Sequence, residues 1–408
     1  MPVRIEQECP QCAAPVELDQ TDHLLECQYC NVKSFIVNPG CFRFVLPGIS
    51  PDDDTIYAPY LHFKGAVYTC DGLKIQHRLS DITERGVDLP FLPISLGLRP
   101  QAMKMQFVTG KQKGIFLANS VKISDILGRA VKSSSLHRAK DIFHVYVGEA
   151  VNLIYLPLKF ERNTVFDAIT DSPLIQGDDL AGSFASLTDG SPGWHPEFKA
   201  ALCPQCGWNL DGERDSVVLF CSNCTAAWEA DGNGFSKVDF SVEKGSDENN
   251  MYLPFWKITA STTGSVEIAS FADFIRITNQ PLIIQPSWEG MNMRYLVPAF
   301  KIRPRDFLRL GTQLTVSHVE TKTTYFANKR NLHPANFPRN EALQSLKLIL
   351  ANSAITKVNV LPFLSEIDFI ARDFSLIYLP FSNNSHELIL ERLGIALNKN
   401  ILTFGRYL

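Results

Sequence analysis

The sequence predicts a β-rich α+β fold written twice, as a tandem duplication of one module in which a four-cysteine metal unit precedes an α+β domain. Three observations carry this reading. Eight of the ten cysteines form Cys-x2-Cys pairs with identical spacing, at Cys9, Cys12, Cys27, Cys30 and again at Cys203, Cys206, Cys221, Cys224. Further landmarks recur in the same order after each set. The apolar runs, such as IFHVYVGEAVNLIYLPL, are short, β-branched and aromatic, which favours strands over helices.

At 408 residues the chain exceeds one ordinary core, and the landmarks place the divisions. All four cysteines shift by 194 residues, with fourteen residues between the paired turns in each set. Tyr57-Ala-Pro59-Tyr60 and Tyr252-Leu-Pro254-Phe255 follow at a shift of 195. FLPISLGLRP, ending at Pro100, and YLVPAFKIRP, ending at Pro304, stand 204 apart. NLIYLPL (152 to 158) and SLIYLPF (375 to 381) stand 223 apart. Slowly growing offsets mark small insertions in a repeated unit of roughly 200 residues. The expected domains are a metal unit at 1 to 40, an α+β domain at 41 to 170, a linker at 171 to 199, a second metal unit at 200 to 240 and a second α+β domain at 241 to 408. Residues 163 to 193 support the linker, with five aspartates, no lysine or arginine, and the turn-forming LTDGSPG.

Within the domains, proline cannot donate to a strand ladder, so Pro59, Pro93, Pro157, Pro254, Pro298 and Pro380 are expected at strand ends, bulges or edges. Helices are fewer. Asn340 can cap one in which Leu343, Leu346 and Leu350 share a face. Asn384 with Glu387 forms a capping-box pattern before LILERLGIAL. VKISDILGRAVK (121 to 132) and TVFDAI after Asn163 are their counterparts in the first half. The Tyr-x-Pro-aromatic segments read as core.

Four cysteines in two short turns supply a tetrahedron of thiolates, and the fourteen-residue insert fits a β-hairpin that closes it. Two structural Zn2+ ions are therefore expected, with no coordination position open for a catalytic water. At residues 9 to 30 and 203 to 224 the chain resembles the zinc ribbon family of transcription factors, ribosomal proteins and primosomal helicases. The resemblance implies fold and metal but no particular function. A rubredoxin-like iron centre is the rival metal reading. A glycine usually follows the second cysteine of each turn in that family, and here only Gly207 does. Asn31 tolerates the left-handed backbone, whereas Ala13 and Thr225 strain it, so those two turns are expected to be less regular. The remaining cysteines, Cys41 and Cys70, read as small core side chains.

The composition, 45% hydrophobic and 20% charged, is that of a folded globular protein. The opening MPVRIEQECPQC lacks a signal-peptide core, and no run suits a transmembrane helix, so a cytoplasmic protein is expected. A net charge of -4 gives no global attraction to a polyanion. Locally, residues 99 to 140 carry nine basic side chains against one acidic, and residues 301 to 330 seven against two. Lys104, Lys111, Lys113, Lys122, Arg129, Lys132, Arg303, Arg305 and Arg309 are the candidate contacts for nucleic acid or an anionic surface, with Phe107 and Tyr325 placed to stack on bases. The bland reading is a solvated face. No HExxH, GxSxG or phosphate-loop pattern is present, and GKQKG (110 to 114) lacks the required spacing. The leading expectation is a non-enzymatic adaptor or assembly component that binds another protein, with nucleic-acid binding as the alternative.

Overall fold

The computed structural model describes residues 3–37, 40–48, 52–110, 112–122, 143–177, 184, 187–188, 194–231, 234–245, 247, 249–318, 323–324 and 331–405. The first half contains β1 (Arg4–Glu8), β2 (Pro15–Asp19), β3 (Leu24–Glu26), β4 (Lys33–Val37), β5 (Phe42–Val45), β6 (Ile56–Asp71), β7 (Lys74–Arg85), the short α1 (Arg99–Ala102), β8 (Lys104–Phe107), β9 (Ile115–Phe116), β10 (Phe143–Glu161), β11 (Thr164–Asp167) and β12 (Ser172–Gln176). Among the described residues all of these strands except β3 and β4 belong to one ten-stranded sheet.

The second half begins with β13 (Glu197–Ala200), β14 (Leu210–Asp211), β15 (Val218–Cys221), β16 (Ala227–Asp231) and β17 (Gly234–Val238), of which the last four form a separate sheet. It continues with β18 (Phe240–Glu243), β19 (Met251–Gly264), α2 (Phe271–Thr278), β20 (Arg294–Pro298), α3 (Pro304–Val316), β21 (Thr323–Thr324), α4 (Arg339–Gln344), α5 (Leu346–Ser353), β22 (Ile367–Asn383), β23 (Glu387–Leu390), β24 (Ile395–Asn398) and α6 (Asn400–Gly405). The architecture is β-rich α+β, with most of the described helix in the second half.

The repeated landmarks pair with one another, and in the same register. In the first half the antiparallel β6–β10 ladder sets Tyr155 opposite Pro59 and Pro157 opposite Tyr57. In the second, the β19–β22 ladder sets Tyr378 opposite Pro254 and Pro380 opposite Tyr252. On its other side each long strand accepts a short parallel one, with Tyr155 beside Val45 of β5 and Tyr378 beside Val242 of β18.

The prolines obey their chemistry within these long strands. On its second side β6 bonds β9 at 56–57 and β7 from 60 onward, so Pro59 falls in the gap between them. Pro157 falls likewise between the β5 and β11 pairings of β10, and Pro380 between the β18 and β23 pairings of β22. Pro254 precedes the β20 pairing of β19, Pro298 ends β20, and Pro93 lies outside the strands. A missing N–H therefore interrupts no second ladder.

Several helix expectations are corrected. Glu387–Leu390 and Ile395–Asn398 form a β-hairpin, in which Leu388, Leu390, Ile395 and Leu397 are buried and Gly394 turns the chain at φ 64°. The alternation of apolar residues, together with the free side of β22 at Ser382–Asn383, outweighs the capping pattern at Asn384. The first four residues of TVFDAI form strand β11 rather than a helix. Asn340 lies inside α4, whose N-cap is Pro338, although its Oδ1 does accept the Glu341 N–H. A second helix, α5, starts at Leu346. VKISDILGRAVK lies outside the described residues after Lys122.

Tyr57, Tyr60 and Phe255 are fully buried, as expected of core. The halves also share a core. Ala66, Tyr68, Cys70 and Val147 pack into the cluster built around Trp256 and the helices of the second half, and the Tyr68 hydroxyl donates to the Pro304 carbonyl.

Candidate metal centres

Each Cys-x2-Cys turn sits at the tip of two paired segments. Cys9 and Cys12 lie between β1 and β2, where Glu8 faces Pro15; Cys27 and Cys30 lie between β3 and β4, where Glu26 faces Lys33. In the second unit the Leu202–Asn209 bridge flanks Cys203 and Cys206, and β15 and β16 flank Cys221 and Cys224. The expected hairpin within the insert forms in the second unit, where β14 pairs with β15. In the first unit it splits: β2 stays on β1, which joins the large sheet beside β8, and β3 pairs with β4. Lys104 of β8 fastens that attachment by ion pairs with Glu6 and Glu17.

The residue after each second cysteine is left-handed at all four turns: Ala13 (φ 57°), Asn31 (φ 57°), Gly207 (φ 72°) and Thr225 (φ 56°). Ala13 and Thr225 therefore adopt the same turn, contrary to the expected irregularity, at a cost of about 1–2 kcal/mol each. The hydrogen bonds explain why. In every turn the N–H of the first cysteine donates to the carbonyl five residues on, from Cys9 to Ala14 (2.8 Å), Cys27 to Val32 (3.1 Å), Cys203 to Trp208 (2.7 Å) and Cys221 to Ala226 (2.8 Å).

The sulfurs converge. Cys9 and Cys30 Sγ are 3.7 Å apart and Cys12 and Cys27 Sγ 3.6 Å; the second unit has 3.6 Å for Cys203–Cys224 and 3.4 Å for Cys206–Cys221. Within each cluster all four lie within 4.8 Å of one another. Disulfide sulfurs would be about 2.05 Å apart, whereas a tetrahedron with metal–sulfur bonds of about 2.3 Å has edges of about 3.8 Å. The geometry fits a tetrahedral thiophilic ion in each cluster. Exposure is also the same in both: first and third cysteines buried, the second exposed, the fourth half-buried.

Electrostatics shows what the ion must supply. Backbone N–H groups at Cys30 and Tyr29 draw the Cys27 thiol down to about 6, and those at Trp208, with the Asn223 side chain, draw Cys206 to about 6. Against the pull of the Ala14 N–H, local desolvation and the three neighbouring sulfurs push Cys12 up to about 12. Burial and its neighbours do the same to Cys224. One thiolate per cluster forms readily and the last resists, because four negative sulfurs repel; a bound cation removes that resistance.

The two units are joined, which neither spacing nor composition announced. β13, leading into the second unit, pairs with β4 of the first, Glu197 opposite Val37 through Ala200 opposite Ser34. Leu24, Phe35 and Val37 share a core with Cys203, Leu219, Cys221 and Trp228. The Arg214 carbonyl accepts the N–H groups of His23 (2.7 Å) and Leu24 (2.8 Å), and Lys33 pairs with Asp211 at 3.0 Å.

Asp22 lies in this joint, its carboxylate accepting the Asp19 N–H at 2.9 Å and lying 3.8 Å from Arg214. Burial raises it to about 6. An acid that binds its proton more tightly in the native state penalises the fold above that pH, and the penalty fades as pH falls toward the unfolded value of about 4. Asp22→Asn keeps the accepting oxygen. With allowance for partial solvent screening, it is expected to gain about 1–2 kcal/mol at pH 7, and the gain should vanish below about pH 4. Denaturant titrations of both proteins at pH 7.5 and pH 4 check this, and equal stability at pH 7.5 would refute it.

Of the basic candidates, Lys104 is neutralised as described, Lys113 meets Asp53 at 3.5 Å, and Arg309 meets Asp306 at 3.5 Å and donates to the Ala396 carbonyl. Lys122, Arg303 and Arg305 are exposed, with Arg303 over the Phe404 ring. Lys111, Arg129, Lys132 and Tyr325 lie outside the described residues. Phe107 is 3% exposed, packed on Phe42, Phe44 and Trp194, and therefore corrected from stacking platform to core. Cys70 is core as expected; Cys41 is half-buried. No helix among the described residues is long and apolar enough to cross a membrane.

The chain is thus a β-rich α+β protein with two four-cysteine clusters able to hold metal. No family model matches it, and neither curated proteins nor solved structures provide a match.

Proposed function

We propose that this chain is a non-enzymatic adaptor, stapled by two structural zinc ions, that docks another protein through the tips of its cysteine turns. The observation carrying this reading is the exposure of two large rings there: Tyr29, between Cys27 and Cys30, is 70% exposed, and Trp208, two residues after Cys206, is 58% exposed. An aromatic ring on a rigid, metal-fastened turn anchors a partner at little entropic cost. Four thiolates per cluster leave no position for a reactive water, which favours structural metal over catalysis. Zinc-ribbon ancestry accounts for the turns. Tandem duplication accounts for the shared register of the Tyr-x-Pro and Ile-Tyr-Leu-Pro segments, and a reducing cytoplasm suits the thiolates.

Tyr29→Ala combined with Trp208→Ala is expected to abolish co-purification of the partner from native lysate while metal content and melting stay unchanged. A partner retained at wild-type stoichiometry, or a wild-type chain that recovers no stoichiometric partner, would defeat the reading. Nucleic-acid binding has less support, because three of the six described candidate cations are already paired with carboxylates.

A further inference from the structure

The large sheet ends on one side at β2, which among the described residues pairs only with β1. The register fixes which backbone groups that free edge presents. The Gln20 N–H donates to the Val3 carbonyl and the Cys9 N–H to the Ala14 carbonyl, so Val16 and Leu18 bond toward β1 while Pro15, Glu17 and Asp19 turn their backbone groups outward. Pro15 has no N–H, and the Asp19 N–H is taken by the Asp22 carboxylate at 2.9 Å. The edge therefore presents the Glu17 N–H as donor and the carbonyls of Pro15, Glu17 and Asp19 as acceptors.

What distinguishes β2 from a bare edge is the wall facing it. All of its residues line a groove of about 310 Å3, and the far side is Glu26, Gln28, Tyr29 and Arg214. The exposed Tyr29 ring thus borders a strand edge. The groove is acidic: Glu17, Asp19 and Glu26 line it against Arg214. Arg214 leans on Asp22 at 3.8 Å and Glu17 already meets Lys104 at 3.2 Å, so Asp19 and Glu26 supply the unbalanced charge. The adjoining surface has the same sign, with Glu6, Glu8 and Glu17 against Lys104.

Proline and like charges on an edge keep identical strands from pairing, because a second copy would bring carboxylate against carboxylate. A basic strand meets no such penalty. We propose that the free edge of β2 accepts an extended segment of a partner protein as an added antiparallel strand, in which lysine or arginine alternates with apolar residues. Side chains opposite Pro15, Glu17 and Asp19 share their face and carry the cations; those opposite Val16 and Leu18 share the face that buries Leu18 and are apolar. Backbone bonds hold the segment, the carboxylates select its charge, and Tyr29 offers its ring to an incoming cation. The inference rests on the docking reading above and gives that partner its chemistry.

The test titrates the metal-loaded full chain with the acetylated, amidated pentapeptide Lys-Val-Lys-Val-Lys, fluorescently labelled, and with its Glu-Val-Glu-Val-Glu counterpart. The basic peptide is expected to bind saturably, more weakly as salt rises, and to slow hydrogen exchange at the Glu17 amide; the acidic one should not bind. N-methylation of the central lysine removes a donor that faces β2 and should weaken binding at least about tenfold. N-methylation of the following valine, whose N–H faces away, should change it less than about twofold. Asp19→Asn combined with Glu26→Gln should weaken the basic peptide about fivefold with unchanged melting, as expected of exposed ion pairs. Absence of saturable binding, equal effects of the two methylations, or unchanged affinity in the double variant would each overturn the proposal. A dimer of the free chain that is lost in Glu17→Pro, which removes the outward donor and leaves the bonds to β1, would give the edge to a second copy and overturn it as well. Failure here is distinct from failure of the docking reading: a native partner lost in the Tyr29→Ala, Trp208→Ala chain, with no pentapeptide binding to the wild type, sinks this inference alone.

Discussion

Cys203→Ser is expected to halve the bound metal, from about two equivalents per chain to about one, and to lower the melting temperature by more than about 10 °C. Closing a four-thiolate site yields an apparent free energy of about 10–16 kcal/mol, comparable with the whole stability of an ordinary domain, about 5–15 kcal/mol. The second unit's own framework is slight, although Val217, Val218, Ala227 and Val238 also pack into the large core of the second half. Its four strands run from two to five residues, and its small core includes Cys203 and Cys221 themselves. Because that core also contains Leu24, Phe35 and Val37, losing the site should loosen β3 and β4 as well. Cys9→Ser should act in the same direction but less strongly, since β1 is also held by β8 and by the Lys104 ion pairs. Protons compete with the ion for the thiolates, so metal affinity should fall as pH falls. Elemental analysis with melting curves reads all of this. Iron in place of zinc would change the identity of the staple, and unchanged melting in both variants would remove its structural role.

The cysteine clusters were legible because a metal tetrahedron needs fixed ligand spacing, and spacing is written in the sequence. The register of the long strands is hinted at too: Tyr57 and Tyr155 each stand two positions before a proline, Pro59 and Pro157, and in the antiparallel ladder each tyrosine lies opposite the other segment's proline. What could not be read was long-range. Nothing local in Glu197–Ala200 announces that it will add to β4, some 160 residues earlier in the chain, yet this pairing joins the two units. The hairpin at Glu387–Asn398 was misjudged for a related reason. Its capping pattern is a local signal worth about 1 kcal/mol, while the edge of β22 and the burial of four apolar side chains are tertiary and outweigh it.

Charge was the least legible property, and Arg99 provides the second large prediction. In the sequence Arg99 counts toward a basic segment and Asp167 toward an acidic linker, two solvated runs of opposite sign. In the fold α1 starts at Arg99 and β11 ends at Asp167, and Arg99 Nη2 lies 2.7 Å from the Asp167 carboxylate, which is 1% exposed. The approach is Coulombic rather than a well-aligned hydrogen bond, and the other Asp167 oxygen accepts the N–H groups of Ile169 (3.0 Å) and Thr170 (3.3 Å). Arg99→Met would leave a buried carboxylate without its cation, which is expected to cost about 3 kcal/mol. Asp167→Asn should cost less, because the amide oxygen still accepts from Ile169 and Thr170 and the Arg99 side chain is 26% exposed. Combining the two should recover most of the loss, since the damage comes from an unpaired charge rather than from a missing contact. A double-mutant cycle in denaturant measures that coupling. Strictly additive losses would place Arg99 back among the solvated charges, and with it the simple reading of residues 99 to 140 as a cationic face.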